Sequence, residues 1–203
     1  MSQYSFEFQG RTVHESQYGS DYISSLKQIL TNHLKAGARS ILEWGSGLTT
    51  LVLSELGSSW GTEILLTIDN YQAYQESIFL GRMTPSFVKM AALDIDGPSK
   101  NQRDPELNYS NFPLSLGRKF DLIFIDGRRR VECAFIAALV SHADTLVIVH
   151  DYRRGRYQSM RALFDIVEDG SQFRAMRLRP RVGESLADGY ERVIRALPSV
   201  GTP

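Results

Sequence analysis

Residues 39–56, RSILEWGSGLTTLVLSEL, constrain this chain more than any other stretch. A short apolar run, Ile41 and Leu42, leads to Glu43 and then to Gly45-Ser46-Gly47. From Thr49 a second apolar run with helical character follows, carried by Leu51, Val52 and Leu56. The pattern predicts a strand, a tight glycine turn and the start of a helix. Glycines let the backbone bend sharply and leave no Cβ between it and a ligand, while the first N–H groups of the helix point at whatever is bound. The turn is therefore a cofactor cradle. A dinucleotide turn would read G-x-G-x-x-G, but Thr50 stands where its third glycine belongs; a phosphate loop would end in Gly-Lys-Ser/Thr, which is absent.

The rest of the chain repeats one theme. Residues 63–70, EILLTIDN, form an apolar run ending in Asp69, and FDLIFIDG at 120–127 and TLVIVHD at 145–151 do the same with Asp126 and His150-Asp151. A parallel strand covered on both faces reads as a continuous apolar run, and ligands bind beyond the carboxyl ends of such strands. These acids are thereby placed at one ligand-bearing edge. An acid about 20 residues past a glycine turn holds ribose hydroxyls in dinucleotide folds, and Asp69 has that spacing; the alternative is a turn or cap aspartate before Tyr71. Helical periodicity predicts helices over 20–37, 71–83, 131–140 and 157–167, and a further strand over 87–93, followed by Asp94 and Asp96. Segments 173–179 and 192–197, joined by a connection too short for a covering helix, are expected to pair antiparallel. The expected fold is α/β: a Rossmann-like, doubly wound, mostly parallel sheet with a C-terminal antiparallel hairpin. A single domain is expected over 1–203, with 1–19 as an N-terminal flap, 20–37 as a leading helix and the Pro-broken stretch 97–119 as an active-site loop.

Composition removes several function classes. No apolar run approaches the roughly 18 residues a membrane span needs, and residues 1–11 lack a signal-peptide core, so a soluble, cytoplasmic protein is expected. Cys133 is the sole cysteine and lies in an apolar stretch, which makes it a buried structural thiol. Formal net charge is +0, which argues against a dedicated nucleic-acid binder. The distribution is uneven: 8 basic and 12 acidic residues up to Gly117, 15 and 11 beyond it, with 18 of the 23 basic residues being Arg. Arginine favours forked recognition of carboxylate or phosphate.

The order acidic-x-Gly-x-Gly-x-x-Thr at 43–50 resembles motif I of the class I S-adenosylmethionine-dependent methyltransferases. The likeness extends to Asp69, the FIDG and VHD strand ends and the closing hairpin. DIDGPS, IDGRRRVECA and HDYRRGRY are also similar to segments of uncharacterised bacterial methyltransferase-like proteins. The resemblance implies that S-adenosyl-L-methionine lies over Gly45, Ser46, Gly47 and Thr50, that Glu43 fixes the loop, that Asp69 holds the ribose, and that Asp94, with Asp96 as competitor, meets the adenine.

Methyl transfer asks a protein to align an acceptor, exclude water and, for a hydroxyl, take its proton. Asp126, His150 and Asp151 end adjacent strands and are the catalytic candidates, with His150 as a general base or as a structurally satisfied histidine. The edge resembles that of metal-dependent O-methyltransferases, which implies Asp126 and Asp151 as ligands of a divalent ion such as Mg2+. Tyr152 stands where their Asn belongs and is a poor Mg2+ ligand. Arg128-Arg129-Arg130 and Arg153, Arg154 and Arg156 are expected to crowd one rim, with Arg128, Arg130, Arg153 and Arg154 holding a small acceptor that bears carboxylate or phosphate. The expected function is O-methylation of that small-molecule acceptor, with transfer to nitrogen left open. The alternatives are a nucleotide-dependent oxidoreductase on a similar fold and a non-catalytic cofactor-binding interaction protein; a homo-oligomer is left open.

Overall fold

The computed structural model describes residues 4–19, 21–93, 95 and 109–186. In chain order the elements are β1 (Ser5–Phe8), β2 (Arg11–His14), α1 (Tyr22–His33), β3 (Ser40–Trp44), α2 (Leu48–Trp60), β4 (Ile64–Asp69), α3 (Gln72–Ile78), β5 (Val88–Ala92), β6 (Phe120–Ile125), α4 (Arg130–Leu139), β7 (Ser141–His150), β8 (Phe164–Asp169) and β9 (Phe173–Leu178). Seven strands form one sheet in the order β5-β4-β3-β6-β7-β9-β8. β3 to β7 pair in parallel, and β9 inserts antiparallel between β7 and β8. The expected doubly wound, mostly parallel sheet is present.

Apolar runs become central strands because both faces of the sheet are covered. Along β3, Ile41 packs into one core with α1 and α2, while Leu42 and Trp44 pack into a second core with α4. β6 alternates likewise, Leu122 and Phe124 to the first core and Ile123 and Ile125 to the second. α1 buries Tyr22, Ile23, Leu26, Ile29 and Leu30 at helical spacing and ends at His33, short of Gly37, which takes a left-handed turn. The first residues form an antiparallel β1–β2 hairpin, and its Phe6 and Phe8 pack edge-on against Tyr74 and Tyr71 around α3.

Two expectations fail at the C-terminal end. The helix expected over 157–167 is a 3-10 helix, Gly155–Ala162, followed by strand β8. β8 alternates buried Phe164 with exposed Asp165 and Val167, a period of two that only pairing with β9 satisfies. The terminal hairpin is therefore β8–β9, one strand earlier than the expected pairing of 173–179 with 192–197; the latter segment lies outside the described residues.

Leu26 is fully buried in the first core. Leu26→Ala should cost about 2–5 kcal/mol in urea unfolding, whereas Gln28→Ala on the exposed face of α1 should stay within about 0.5 kcal/mol.

Candidate functional site

Strand order reverses between β3 and β6, so the connections after them run to opposite faces and leave a crevice at their carboxyl ends. The two chains meet there through glycine. Gly45 has φ +92°, and a Cβ on it would lie 2.5 Å from the Gly127 nitrogen. Gly127 in turn faces the Tyr109 hydroxyl, where a Cβ would overlap the oxygen. The crevice opens as a cleft of about 490 Å³, a size suited to a small-molecule ligand, lined in part by Gly45, Ser46, Asp69, Tyr71, Arg128 and His150.

The glycine turn is held from below by Glu43, which is fully buried. Thr49 Oγ1 donates to its Oε1 and Thr50 Oγ1 to its Oε2, each at 2.6 Å. Thr50 Oγ1 also accepts the Gly47 N–H at 2.8 Å. The residue that replaces the third glycine of a dinucleotide turn is thus the brace of this one. Burial pushes the Glu43 carboxyl up to about 7, and the hydrogen bonds from Thr49, Thr50 and Thr67 only partly offset it. Ser46 is tied in from both sides: its N–H donates to Asp69 Oδ2 at 3.0 Å, and its hydroxyl meets Thr67 Oγ1 at 2.7 Å and Gln75 Nε2 at 2.8 Å.

Asp69 ends β4 at the cleft, with Oδ1 accepting the N–H groups of Asn70 at 2.7 Å and Tyr71 at 3.1 Å. It is a turn aspartate by these bonds: Oδ1 accepts two of them and Oδ2 one, so the one lone pair left is on Oδ2. Burial raises its carboxyl above the usual range, opposed by the three backbone donors and by Arg128. Asp94 and Asp96 lie outside the described residues.

At the other wall, Asp126 is shared. Its Oδ1 meets His150 Nδ1 at 2.8 Å and Arg130 Nη2 at 2.8 Å, and Tyr22 donates to Oδ2 at 3.3 Å. Arg130 spends most of its donors inside the protein: Nε on the Gly127 carbonyl at 3.0 Å, Nη2 on the Asp126 carbonyl at 3.0 Å, and Nη1 on the His150 carbonyl. The six-arginine rim does not assemble. Arg128 and Arg130 line the cleft; Arg129 pairs with Glu132 at 3.1 Å, Arg154 with Asp151 at 2.5 Å, and Arg153 lies over the Tyr152 ring. Asp151 has φ +55° and does not line the cleft.

The donor set does not fit a divalent ion at Asp126 and Asp151. The Asp126 carboxylate is taken by a guanidinium and an imidazole, Asp151 by Arg154, and Tyr152 is buried with its hydroxyl on the Gly170 carbonyl at 2.8 Å. Among the described residues no group of three or more His, Cys, Asp or Glu has a metal-binding arrangement. Cys133 is buried as expected, with its thiol pushed up to about 12 by burial.

Sequence reasoning missed the aromatic wall. Tyr18, Tyr71, Tyr74 and Tyr109 line the cleft, and Tyr18 and Tyr74 hydrogen-bond to each other. Tyr71, Tyr74 and Gln75 follow Asp69 at one-turn helical spacing, a signal that was available. Tyr109, which closes the Gly127 side, carries no such signal.

No family model matches the chain, and no curated protein matches it. Among solved structures it is similar to a methyltransferase-like protein from Silicibacter pomeroyi (18% identity, 83% of this chain and 94% of that one, TM-score 0.55). It is also similar to cofactor-bound Rv0187 from MTB (18%, 85% and 92%, TM-score 0.55). A third is the N-methyltransferase NodS from Bradyrhizobium japonicum in complex with S-adenosyl-L-homocysteine (13%, 80% and 90%, TM-score 0.51).

Two outcomes test this description of the turn. Gly45→Ala should lose about 1–3 kcal/mol from backbone strain alone, with the clash against Gly127 adding to it, in denaturant unfolding. The raised Glu43 carboxyl favours the protonated folded state, so its stabilising contribution is present below pH 4.5 and disappears as pH rises through about 7. Wild type should lose on the order of 3 kcal/mol across that window relative to Glu43→Gln, and a pH-independent difference would contradict it. With its strand order, reversed connection and inserted antiparallel strand, the chain has the fold of the class I methyltransferases.

Proposed function

We propose that this chain is an S-adenosylmethionine-dependent methyltransferase acting on an oxygen of a small anionic acceptor. The observation that carries the reading is the cleft at the strand-order reversal, where a braced glycine turn, a strand-end aspartate and a histidine face one space of ligand size. The N-methyltransferase of similar fold with S-adenosyl-L-homocysteine bound supports the methyltransferase part of the reading.

The residues fit the cofactor. Gly45, Gly47 and the first N–H groups of α2 offer a backbone surface whose one side chain, Ser46, is tied to Thr67 and Gln75; Glu43 with Thr49 and Thr50 keeps it rigid, and Asp69 offers the spare Oδ2 lone pair to a ribose hydroxyl. When bound, the cofactor supplies a methyl group already activated on a positive sulfur. The protein's own work is then placement and proton removal. Tyr18, Tyr71 and Tyr74 wall the cleft on the side of the N-terminal hairpin, where Tyr71 and Tyr74 pack on Phe8. His150 is the base for an acceptor hydroxyl. The anionic part of the acceptor meets Arg128, whose exposed side chain stands at the cleft; Arg130 is committed internally, and Arg153 and Arg154 lie outside the cleft lining.

Calorimetric titration tests the cofactor. S-adenosylmethionine and its demethylated product should bind saturably to wild type and at least tenfold more weakly to Asp69→Ala, a loss of about 1.4 kcal/mol or more. Absence of binding to folded protein, or saturable binding of reduced nicotinamide dinucleotide instead, would overturn the reading. Once an acceptor is found, Arg128→Gln should raise its Michaelis constant about tenfold while leaving cofactor affinity unchanged; equal effects on both would remove the anion contact.

A further inference from the structure

The Asp126, Arg130 and Tyr22 cluster is too complete to be a rim for substrate anions. It joins the carboxyl ends of two neighbouring strands. Arg130, with only 12% of its side chain exposed, bonds the carbonyls of Asp126 and Gly127 after β6 and of His150 ending β7, and at the same time the Asp126 carboxylate. Only a planar fork can span four such acceptors; a lysine cannot. His150 packs between Tyr22, edge-on at 5.1 Å between ring centroids, and Phe173 at 5.2 Å, so its plane is fixed as well.

We infer that Asp126 and Arg130 are positioning residues that fix the His150 ring with Nδ1–H on the Asp126 carboxylate and Nε2 left for an acceptor hydroxyl. This rests on the methyltransferase reading for the reaction it serves. The Asp126 carboxylate accepts the Nδ1 proton's hydrogen bond, which selects the tautomer. Arg130 on the same oxygen holds the carboxylate in place, and Tyr22, kept neutral by burial first and by Asp126 next, adds a donor without charge. The charged or titratable groups around the ring are thus Asp126 and Arg130 from the β6 end, Tyr22 from α1 with Tyr18 against it, and Asp151, which is turned to Arg154.

In the transfer, the acceptor hydroxyl gives its proton to Nε2 and an oxygen lone pair to the methyl carbon. The S–CH3 bond breaks with its electrons on sulfur. A neutral thioether, a methyl ether and an imidazolium result, so the positive charge passes from sulfur to a ring that Asp126 already faces; the imidazolium then returns its proton to water. The step serves an acceptor hydroxyl, and it reassigns Arg130 from substrate binding to the internal frame.

Long-range proton–nitrogen spectra of the 15N-labelled full chain read the tautomer directly. The chain has 4 histidines, and His150→Gln identifies the signal that matters. Wild type should show Nδ1 protonated and Nε2 bare at pH 7.5. Asp126→Asn should move the ring to the Nε2-protonated form, as loss of the orienting carboxylate does in a Ser-His-Asp triad, and Arg130→Gln, which releases the Asp126 carboxylate from its fork, should lower the share of the Nδ1-protonated form. A protonated Nε2 in the neutral wild-type ring, or a pattern unmoved in both variants, overturns the inference. Should Arg130→Gln not fold, the wild-type spectrum still decides the tautomer and Arg130→Lys replaces it. Failure of S-adenosylhomocysteine to bind wild type with the tautomer as expected would instead sink the methyltransferase reading and leave the frame intact.

Discussion

The backbone contact between Gly45 and Gly127 is the constraint on which the site depends. The Gly45 N–H donates to the Ile68 carbonyl and the Asp126 N–H to the Trp44 carbonyl, each at 2.8 Å, so the parallel ladder runs on to the last residue before each strand leaves the sheet. Any side chain at Gly45 would be driven into the next strand's exit, and its positive φ is open to glycine at little cost. Because β3 and β6 can approach this closely, the chain turns away on opposite faces and leaves the crevice between them. The cleft is a consequence of packing before it is a binding site.

Around that contact, each strand-end acid is satisfied by a different kind of donor, and the difference separates their chemistry. Glu43 has only hydroxyl donors in a dry core, so burial dominates and the group braces the loop. Asp69 accepts backbone N–H groups at a half-buried edge, which shapes the turn and leaves one Oδ2 lone pair unused. Asp126 faces a guanidinium and an imidazole, which commits it to orienting other groups. Carboxylates near neighbouring strand ends therefore do different work, set by the donors their neighbours provide.

Much of this was legible in the sequence because burial on both faces leaves a plain signature. Ile41, Leu42, Leu65, Leu66, Ile123 and Ile125 read as strands with no help from periodicity, and the glycine turn and Asp69 followed from position. The C-terminal hairpin was misplaced because apolar Leu163, Phe164, Ile166 and Val167 fit both a short helix and an alternating strand; only the partner β9 decides between them. The arginines were legible as charges but not as partners. Arg130 sits at the first turn of α4, facing back toward the strand ends, whereas Arg153 and Arg154 follow a left-handed residue, Asp151, and turn outward. No spacing rule distinguishes those two fates. The aromatic wall depends on a hairpin folding back from the first residues, a long-range contact that local pattern does not encode.

The most direct test of the central claim, that the ligand occupies the crevice between β3 and β6, is the backbone amide spectrum of the labelled chain during titration with S-adenosylhomocysteine. The expected result is a set of saturable shifts concentrated at residues 45–47, 69–71 and 127–128. Shifts confined to the opposite end of the strands, around Asp121 and His142, or an unchanged spectrum at saturating ligand, would contradict it.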